Sequence, residues 1–269
     1  MPANIAHILI ANAAYDRVNA SNPALGERIL NKGPFFYLGS LGPDLPSYTT
    51  SNLVREALSK LFVRPFTDMN NPVQEDLSYF LHSTHPHMFP FYLTEVNVNY
   101  MKLRGGELIA DDFNMATHAF TLGYACHMAA DQVVHGLVRE LVGPYYRDKA
   151  TTERHAECEV YQDAFLFHEK FPNRQFSKTF QKQLISIERF GFNYDGFCNL
   201  LSLAVSKAGY KRISKEDIDG WIDGIMLAFD LMDSVGPYVS AFKDLDANKA
   251  HIAEFPFYKK YYRNENLDY

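Results

Sequence analysis

One long helical pattern, from Asp112 to Val142, constrains the fold most strongly. Apolar residues recur along it at helical spacing, and Gly143-Pro144 ends it in the order typical of a helix C-terminus. Helical spacing also predicts helices over residues 4–18, 54–61, 76–81, 89–100, 151–167, 175–190, 194–208 and 216–242, with the Gly- and Pro-rich residues 33–46 as a loop. We therefore predict an all-α, multi-helix bundle that forms a single domain over residues 1–269.

Composition narrows the classes of function. The 269 residues carry a net charge of -6, which disfavours a nucleic-acid partner because phosphate binding needs a basic surface. The three cysteines form no C-x-x-C pair, so neither a disulfide framework nor a thiolate zinc finger is expected. No secretory leader is evident at the N-terminus, and no apolar run reaches the roughly 18 residues of a membrane span. We expect a cytoplasmic protein without a transmembrane segment.

Three potential metal ligands are evenly spaced on the long helical pattern. His127, Asp131 and His135 are four residues apart in CHMAADQVVHG, and a step of four residues turns a helix by only about 40°. The three side chains therefore share one stripe among apolar neighbours. Burying them without partners would cost several kcal/mol, whereas a metal ion uses His and carboxylate groups as ligands. The stripe predicts a metal site.

A second helical pattern carries a related pair. His155 and Glu159 are four residues apart in RHAECEVYQD, so they also share one helix face. One such pair alone more often forms a surface contact than a metal site. Five candidate ligands on two helices are instead typical of a metal site between the helices of a bundle.

Motifs elsewhere in the chain extend this pattern. His7 lies in NIAHILIAN, Asp44 lies in the loop GSLGPDLPSY, and the helix of the stripe contains GYACHMAADQVVH. In this order the motifs resemble the zinc-dependent phospholipase C family, which shares a helical superfamily with the single-strand-specific zinc nucleases. The resemblance spans residues 1 to about 165 and implies a helical, zinc-dependent phosphodiester hydrolase.

The resemblance also implies ligands for two or three zinc ions. One ion would be bound by Asp44, His82, His127 and Asp131. A second would be bound by His135, His155 and Glu159. A third would use His7, a bridging Asp131 and the N-terminal amine, and an enzyme with only two ions stays open.

The family pattern also contains an isolated histidine between the Asp44 loop and the helix of the stripe. This chain has three candidates for it, His82, His85 and His87. We favour His82 because it follows an apolar helical run in FLHS. Aromatic residues flank the Asp44 loop and follow His82. They are Phe35, Phe36, Tyr37 and Tyr48 around the loop, and Phe89 and Phe91 after His82. Their rings could cage a choline headgroup, stack on a base or simply pack in the core.

The implied chemistry gives Asp44 a second role. A water activated by zinc would attack phosphorus, and Asp44 is the candidate catalytic base that orients or deprotonates it. The implied substrate is a phospholipid or a small phosphodiester, with a transient contact to a membrane surface and without nucleic acid. The alternatives are a nuclease of the same superfamily and a non-catalytic, metal-stabilised binding protein.

Overall fold

The computed structural model describes residues 4–48, 77–83, 86–102, 111–143, 149–171 and 178–232. Within these ranges the chain forms ten α-helices, two short 3₁₀ turns and no strand. The helices are α1 (Asn4–Ser21), α2 (Pro23–Leu30), α3 (Gly33–Gly39), α4 (Leu77–Ser83), α5 (Phe89–Lys102), α6 (Asp112–Val142), α7 (Lys149–Lys170), α8 (Lys178–Leu184), α9 (Gly191–Lys207) and α10 (Lys215–Met232). The 3₁₀ turns cover Leu45–Ser47 and Pro86–Met88. The all-α prediction is confirmed, and the single domain stays a prediction.

Helix α6 is the central element of the described fold. It packs against α1, α2, α3, α5, α7 and α9. Its start is stabilised where the backbone N–H of Asp111 donates to the side chain of Asn114 at 3.2 Å. It ends at Val142, and the following Gly143 has a φ of 87°, as the predicted Gly-Pro stop requires.

A large apolar core holds α6 in place. Phe120 and Tyr124 of α6 pack in one cluster with Leu93 of α5, Phe197 of α9 and Phe229 of α10, all of them buried. Because these contacts fix the rotation of α6, the polar stripe of this helix faces α1 and α7, which pack beside it. Among the described helices, none combines the length and the apolar character needed to cross a membrane.

Two predicted segments differ from the structure. Residues 33–46, predicted as a loop, contain helix α3 and the 3₁₀ turn Leu45–Ser47, since Pro34 suits a first helical turn and the buried Phe36 and Leu38 pack inward. The predicted helix over residues 175–190 ends at Leu184. The predicted helix over residues 54–61, and the part of the last helix beyond Met232, lie outside the described residues.

Helices α3 and α6 approach so closely that their backbones touch. A Cβ atom at Gly39 would lie 2.1 Å from the carbonyl oxygen of Phe120, and one at Gly123 would lie 1.9 Å from that of Phe36. No side chain larger than hydrogen fits at either position without moving a helix. This contact brings the turn after α3, which carries Asp44, against the stripe of α6.

Replacing Gly123 by alanine is therefore expected to lower the free energy of unfolding by about 3 kcal/mol and Tm by about 10 °C. Gly136→Ala on the same helix is the matched control, because a Cβ there meets nothing within 4 Å. Alanine at position 136 should raise stability by up to about 1 kcal/mol, as helix propensity predicts. Denaturant titration of both variants measures the difference. Equal stabilities would contradict a tight contact between α3 and α6.

Candidate metal centre

Five elements of the fold bring the eight predicted side chains together. The eight side chains are those of His7 from α1, Asp44 from the turn after α3, His82 from α4, His127, Asp131 and His135 from α6, and His155 and Glu159 from α7. Six of the eight are buried or nearly so, whereas the side chains of His82 and His135 are 27% and 38% exposed. Solvent therefore reaches the centre from the side of these two histidines.

A series of tight turns carries Asp44 into this centre. The backbone N–H of Leu41 donates to Leu38, that of Gly42 to Gly39, and that of Asp44 to Leu41. Leu41 and Leu45, on either side of Asp44, are both buried in the core. Because its neighbours are anchored in this way, the short carboxylate of Asp44 is directed at α4 and α6.

The first group of donors consists of Asp44, His82, His127 and Asp131. The Nε2 atoms of His82 and His127 lie 3.3 Å apart, and each lies 3.3 Å from Oδ2 of Asp131. Asp44 faces both rings, with Oδ1 at 3.4 Å from His82 Nε2 and Oδ2 at 3.9 Å from His127 Nε2. Four side chains thus direct nitrogen and oxygen atoms at one small volume.

The protons of the two imidazoles point away from that volume. Nδ1 of His127 contacts the carbonyl oxygen of Ser40 at 2.8 Å, and Nδ1 of His82 contacts that of Ser78 at 2.7 Å. A carbonyl oxygen only accepts, so each Nδ1 carries a proton and each Nε2 faces the carboxylates; in the neutral ring this nitrogen has the lone pair that a metal binds. Hydrogen bonds of this kind orient metal-binding histidines in proteins.

The donor set of the first group fits zinc. Zinc is bound tetrahedrally by His nitrogen and carboxylate oxygen at about 2.0–2.2 Å, which places neighbouring ligand atoms about 3.3 Å apart. The separations around Asp131 Oδ2 match this edge length. Lone pairs from two imidazoles and two carboxylates repel one another when nothing positive lies between them. A cation removes that repulsion.

The second group consists of His135, His155 and Glu159. Nε2 of His155 lies 3.0 Å from Oε1 of Glu159 and 3.1 Å from Nδ1 of His135. His135 Nδ1 lies 3.6 Å from the same Glu159 oxygen. The three donor atoms form a triangle whose edges again resemble those of a zinc site.

Asp131 lies between the two groups and divides its oxygens between different histidines. Oδ2 faces the first group, whereas Oδ1 lies 3.3 Å from Nε2 of His7 and 3.2 Å from Nε2 of His135. The ring of His7 stacks on that of His127, with centroids 3.9 Å apart. His7 also has a nitrogen within 4.8 Å of ligand atoms from Asp44 and His127. One carboxylate therefore connects all the donors, as a bridging ligand does.

Two buried carboxylate oxygens lack hydrogen-bond partners among the described residues, Oδ2 of Asp44 and Oδ1 of Asp131. Buried oxygens of this kind normally have partners. Since the atoms around them are imidazole nitrogens in contact but without hydrogen-bond geometry, both oxygens have the surroundings of metal ligands.

The pKa values of the clustered side chains are shifted by burial and by the charges that face one another. Burial favours a raised pKa at Asp131, but the four surrounding imidazoles outweigh it and hold the pKa well below its usual range. Burial lowers the pKa of His82, yet the interaction with Asp131 and the charge of Asp44 raise it to about 9. Burial, with the neighbouring His7, lowers the pKa of His127, and burial raises the pKa of Asp44.

The structure describes two of the three candidates for the isolated histidine, His82 and His87. His82 is the one that lies in the first group of donors. The exposed His87 contacts Gln132 instead, with His87 Nε2 at 3.0 Å from Gln132 Nε2, and His85 lies outside the described residues. Among the aromatic candidates, Phe36, Tyr48 and Phe89 are core residues and only Phe91 is largely exposed, at 65%.

Sequence reasoning missed one acidic residue beside the centre. Asp163 is fully buried on α7, and its carboxylate accepts hydrogen bonds from the backbone N–H groups of Ile5 and Ala6 at the start of α1. The signal was present in the spacing, because His155, Glu159 and Asp163 are four residues apart.

Comparison with models of protein families matches residues 6–208 to the family described as "Zinc dependent phospholipase C". The matched range contains all eight donors and extends past the end of α9. Comparisons with curated proteins and with solved structures gave no match.

Proposed function

The chain belongs to the zinc-dependent phospholipase C family, an enzyme family that hydrolyses the phosphodiester bonds of phospholipids with zinc, and on this premise we propose how its residues perform that reaction. One observation supports the proposal most strongly. The imidazoles of His82 and His127 direct their protons to backbone carbonyls and their lone pairs at the carboxylates of Asp44 and Asp131. Such a set of donors is suited to binding a cation.

Two groups of residues hold zinc in this proposal. The first ion is bound by Asp44, His82, His127 and Asp131, whose facing atoms are mostly 3.3–3.4 Å apart. The second ion is bound by His135, His155 and Glu159, whose facing atoms are 3.0–3.6 Å apart. In both groups the separations agree with tetrahedral zinc.

A third ion is proposed beside His7. Oδ1 of Asp131 has no hydrogen-bond partner among the described residues and lies 3.3 Å from His7 Nε2. His7 and Asp131 supply two ligands, and the sequence resemblance adds the N-terminal amine, which lies outside the described residues. Whether the centre binds two ions or three therefore depends on whether His7 is a ligand.

When bound, zinc supplies Lewis-acid chemistry: it activates water near neutral pH and neutralises charge on phosphoryl oxygens. Asp44 is the proposed catalytic base. Its Oδ2 atom is buried within the centre without a hydrogen-bond partner among the described residues, so it can orient the attacking water and accept its proton. The new bond joins the water oxygen to phosphorus, the bond from phosphorus to the departing oxygen breaks, and the resulting alkoxide takes up a proton from solvent to leave as an alcohol.

Replacing Asp44 by asparagine tests this assignment. The amide keeps an oxygen that can bind zinc, but it cannot accept a proton, so kcat for phosphodiester hydrolysis should fall by about 10²- to 10⁴-fold. Zinc content, measured by plasma mass spectrometry, should stay close to that of the wild type. The control is Asp112→Asn, at an exposed carboxylate paired with Lys32. Full activity in zinc-loaded Asp44→Asn would show that Asp44 is not the base.

Substrate assays distinguish the remaining alternatives. We expect hydrolysis of phosphatidylcholine vesicles or of soluble short-chain phospholipids, and no cleavage of single-stranded DNA, because the chain carries a net charge of -6. DNA cleavage without lipid hydrolysis would favour the nuclease alternative. Zinc-loaded protein that hydrolyses neither substrate would favour a non-catalytic binding protein.

A transient contact with a membrane surface is part of the proposal. Phe91 of α5 and Met88, the last residue of the preceding 3₁₀ turn, are 65% and 42% exposed. They adjoin His87, which contacts Gln132 next to Asp131 in the chain. Apolar side chains at this position would meet lipid near the open side of the centre. The cytoplasmic location stays a prediction.

A further inference from the structure

We propose that Asp163 is a positioning residue that holds the first turn of α1, and with it His7, against the metal centre. This inference rests on the proposed function in one respect, namely the role of His7 as a zinc ligand. The placement of α1 by Asp163 is independent of that role, and the two are tested separately below.

The contact itself is short and buried. The backbone N–H of Ala6 donates to Oδ1 of Asp163 at 2.8 Å, and that of Ile5 donates to Oδ2 at 3.2 Å. Asp163 is completely buried, and Ile5 and Ala6 are almost so. The first N–H groups of a helix have no partner within the helix and need acceptors from elsewhere in the protein. Both oxygens of Asp163 thus serve the start of α1.

The same face of α7 carries the second group of donors. His155, Glu159 and Asp163 follow one another at intervals of four residues, so they form a single stripe on a helix. His155 and Glu159 contact His135, whereas Asp163 binds the start of α1. One rigid helix therefore sets the distance between α1 and the centre.

A second contact holds the same turn from the other side. The hydroxyl of Tyr48 donates to Oδ1 of Asn4 at 2.8 Å, and both residues are fully buried. Tyr48 follows the 3₁₀ turn that begins directly after Asp44. The first turn of α1 is consequently held between α7 and the segment that supplies Asp44.

His7 depends on these contacts because it follows Ala6 directly. Its Nε2 atom lies 3.3 Å from Oδ1 of Asp131, and its ring stacks on His127. Without Asp163, two buried N–H groups at the start of α1 lose their acceptor, which favours local opening of this turn. His7 would then leave Asp131 while the donors on α6 and α7 remain in place.

The test compares four variants of the full-length protein with the wild type: Asp163→Ala, Asp163→Asn, His7→Ala and the double variant Asp163→Ala/His7→Ala. Hydrogen–deuterium exchange, followed by mass spectrometry, reports on peptides from α1, and plasma mass spectrometry counts zinc. Asn97→Ala on α5 is the matched control, because it also removes buried hydrogen bonds, those between Asn97 and Asn114, but at the first turn of α6 and away from the donors of the centre.

We expect α1 peptides of Asp163→Ala to exchange at least about 10-fold faster than those of the wild type, while His7→Ala and Asn97→Ala leave this exchange unchanged. Asp163→Asn keeps one acceptor oxygen and should restore most of the protection. Asp163→Ala and His7→Ala should contain the same amount of zinc, and the double variant should lose no more than either.

Wild-type exchange of α1 in Asp163→Ala would overturn the proposal, as would a zinc content that differs from that of His7→Ala. If Asp163→Ala does not fold, the same comparison with Asp163→Asn decides, since that variant should lie between wild type and His7→Ala in zinc content. Wild-type protein that binds no zinc would refute the proposed function, whereas the exchange measurement would still test the placement of α1.

Discussion

Replacing Asp131 by alanine should remove zinc from the first donor group, weaken zinc binding in the second, whose His135 contacts Asp131, and lower phosphodiesterase activity by at least about 1000-fold. Mutating a residue that only hydrogen-bonds a metal ligand changes metal affinity or activity by about 10- to 100-fold. Asp131 is proposed as a ligand itself, so its removal should have a larger effect. Its two oxygens lie 3.2–3.3 Å from the ring nitrogens of four histidines. Plasma mass spectrometry after dialysis, together with a lipid hydrolysis assay, measures both effects.

The control for this experiment is Asp112→Ala on the same helix. Asp112 is exposed and pairs with Lys32 at 3.3 Å, so its removal should leave zinc content and activity unchanged. Asp131→Ala protein that keeps two or three zinc ions per chain would show that the carboxylate does not bridge the centre. The ligand assignment would then have to be withdrawn.

Removal of zinc from the wild type is expected to destabilise the fold strongly. An ion that binds only the folded chain contributes about 4 kcal/mol when its concentration is 1,000 times Kd, and two ions roughly double this. The expected decrease in Tm after chelation is therefore at least about 10 °C. Circular dichroism at a helix-sensitive wavelength, recorded before and after dialysis against a chelator, measures the change.

Two controls accompany the chelation experiment. Adding zinc back should restore the Tm of the wild type, and Asp131→Ala should respond much less to the chelator because it has less metal to lose. An unchanged Tm in protein shown to be free of zinc would mean that the donors are preorganised without the ion. Such a result would leave the ligand assignment intact but refute the coupling between metal binding and folding.

The metal centre could be predicted from the sequence where its geometry is local. His127, Asp131 and His135 share a stripe because a helix repeats nearly every four residues, and His155 and Glu159 follow the same rule. These pairs needed only the correct prediction of two helices. The two sets of residues meet, with His135 directly against His155, once α6 and α7 pack together.

The remaining parts depend on tertiary contacts that leave no local pattern. The carbonyl oxygens of Ser40 and Ser78 orient two histidines, but any residue type could supply a carbonyl there. Helix α3 was missed because Gly33, Pro34 and Gly39 are typical of loops, although packing against α6 stabilises a helix. The spacing of Asp163 places it on the stripe of His155 and Glu159, but its role was missed because its partners are backbone groups about 157 positions away in the chain.

The wide separation of the donors along the chain sets an order for events during protein synthesis. Asp131 completes the first group, and Glu159 completes the second, 28 residues later (159 − 131). At a translation rate of roughly 5–20 residues per second, the ribosome needs about 1 to 6 s for that interval. The nascent chain therefore contains all four residues of the first group before the last residue of the second group is synthesised. Zinc that binds while the chain is being synthesised would meet the donors of the first group before those of the second.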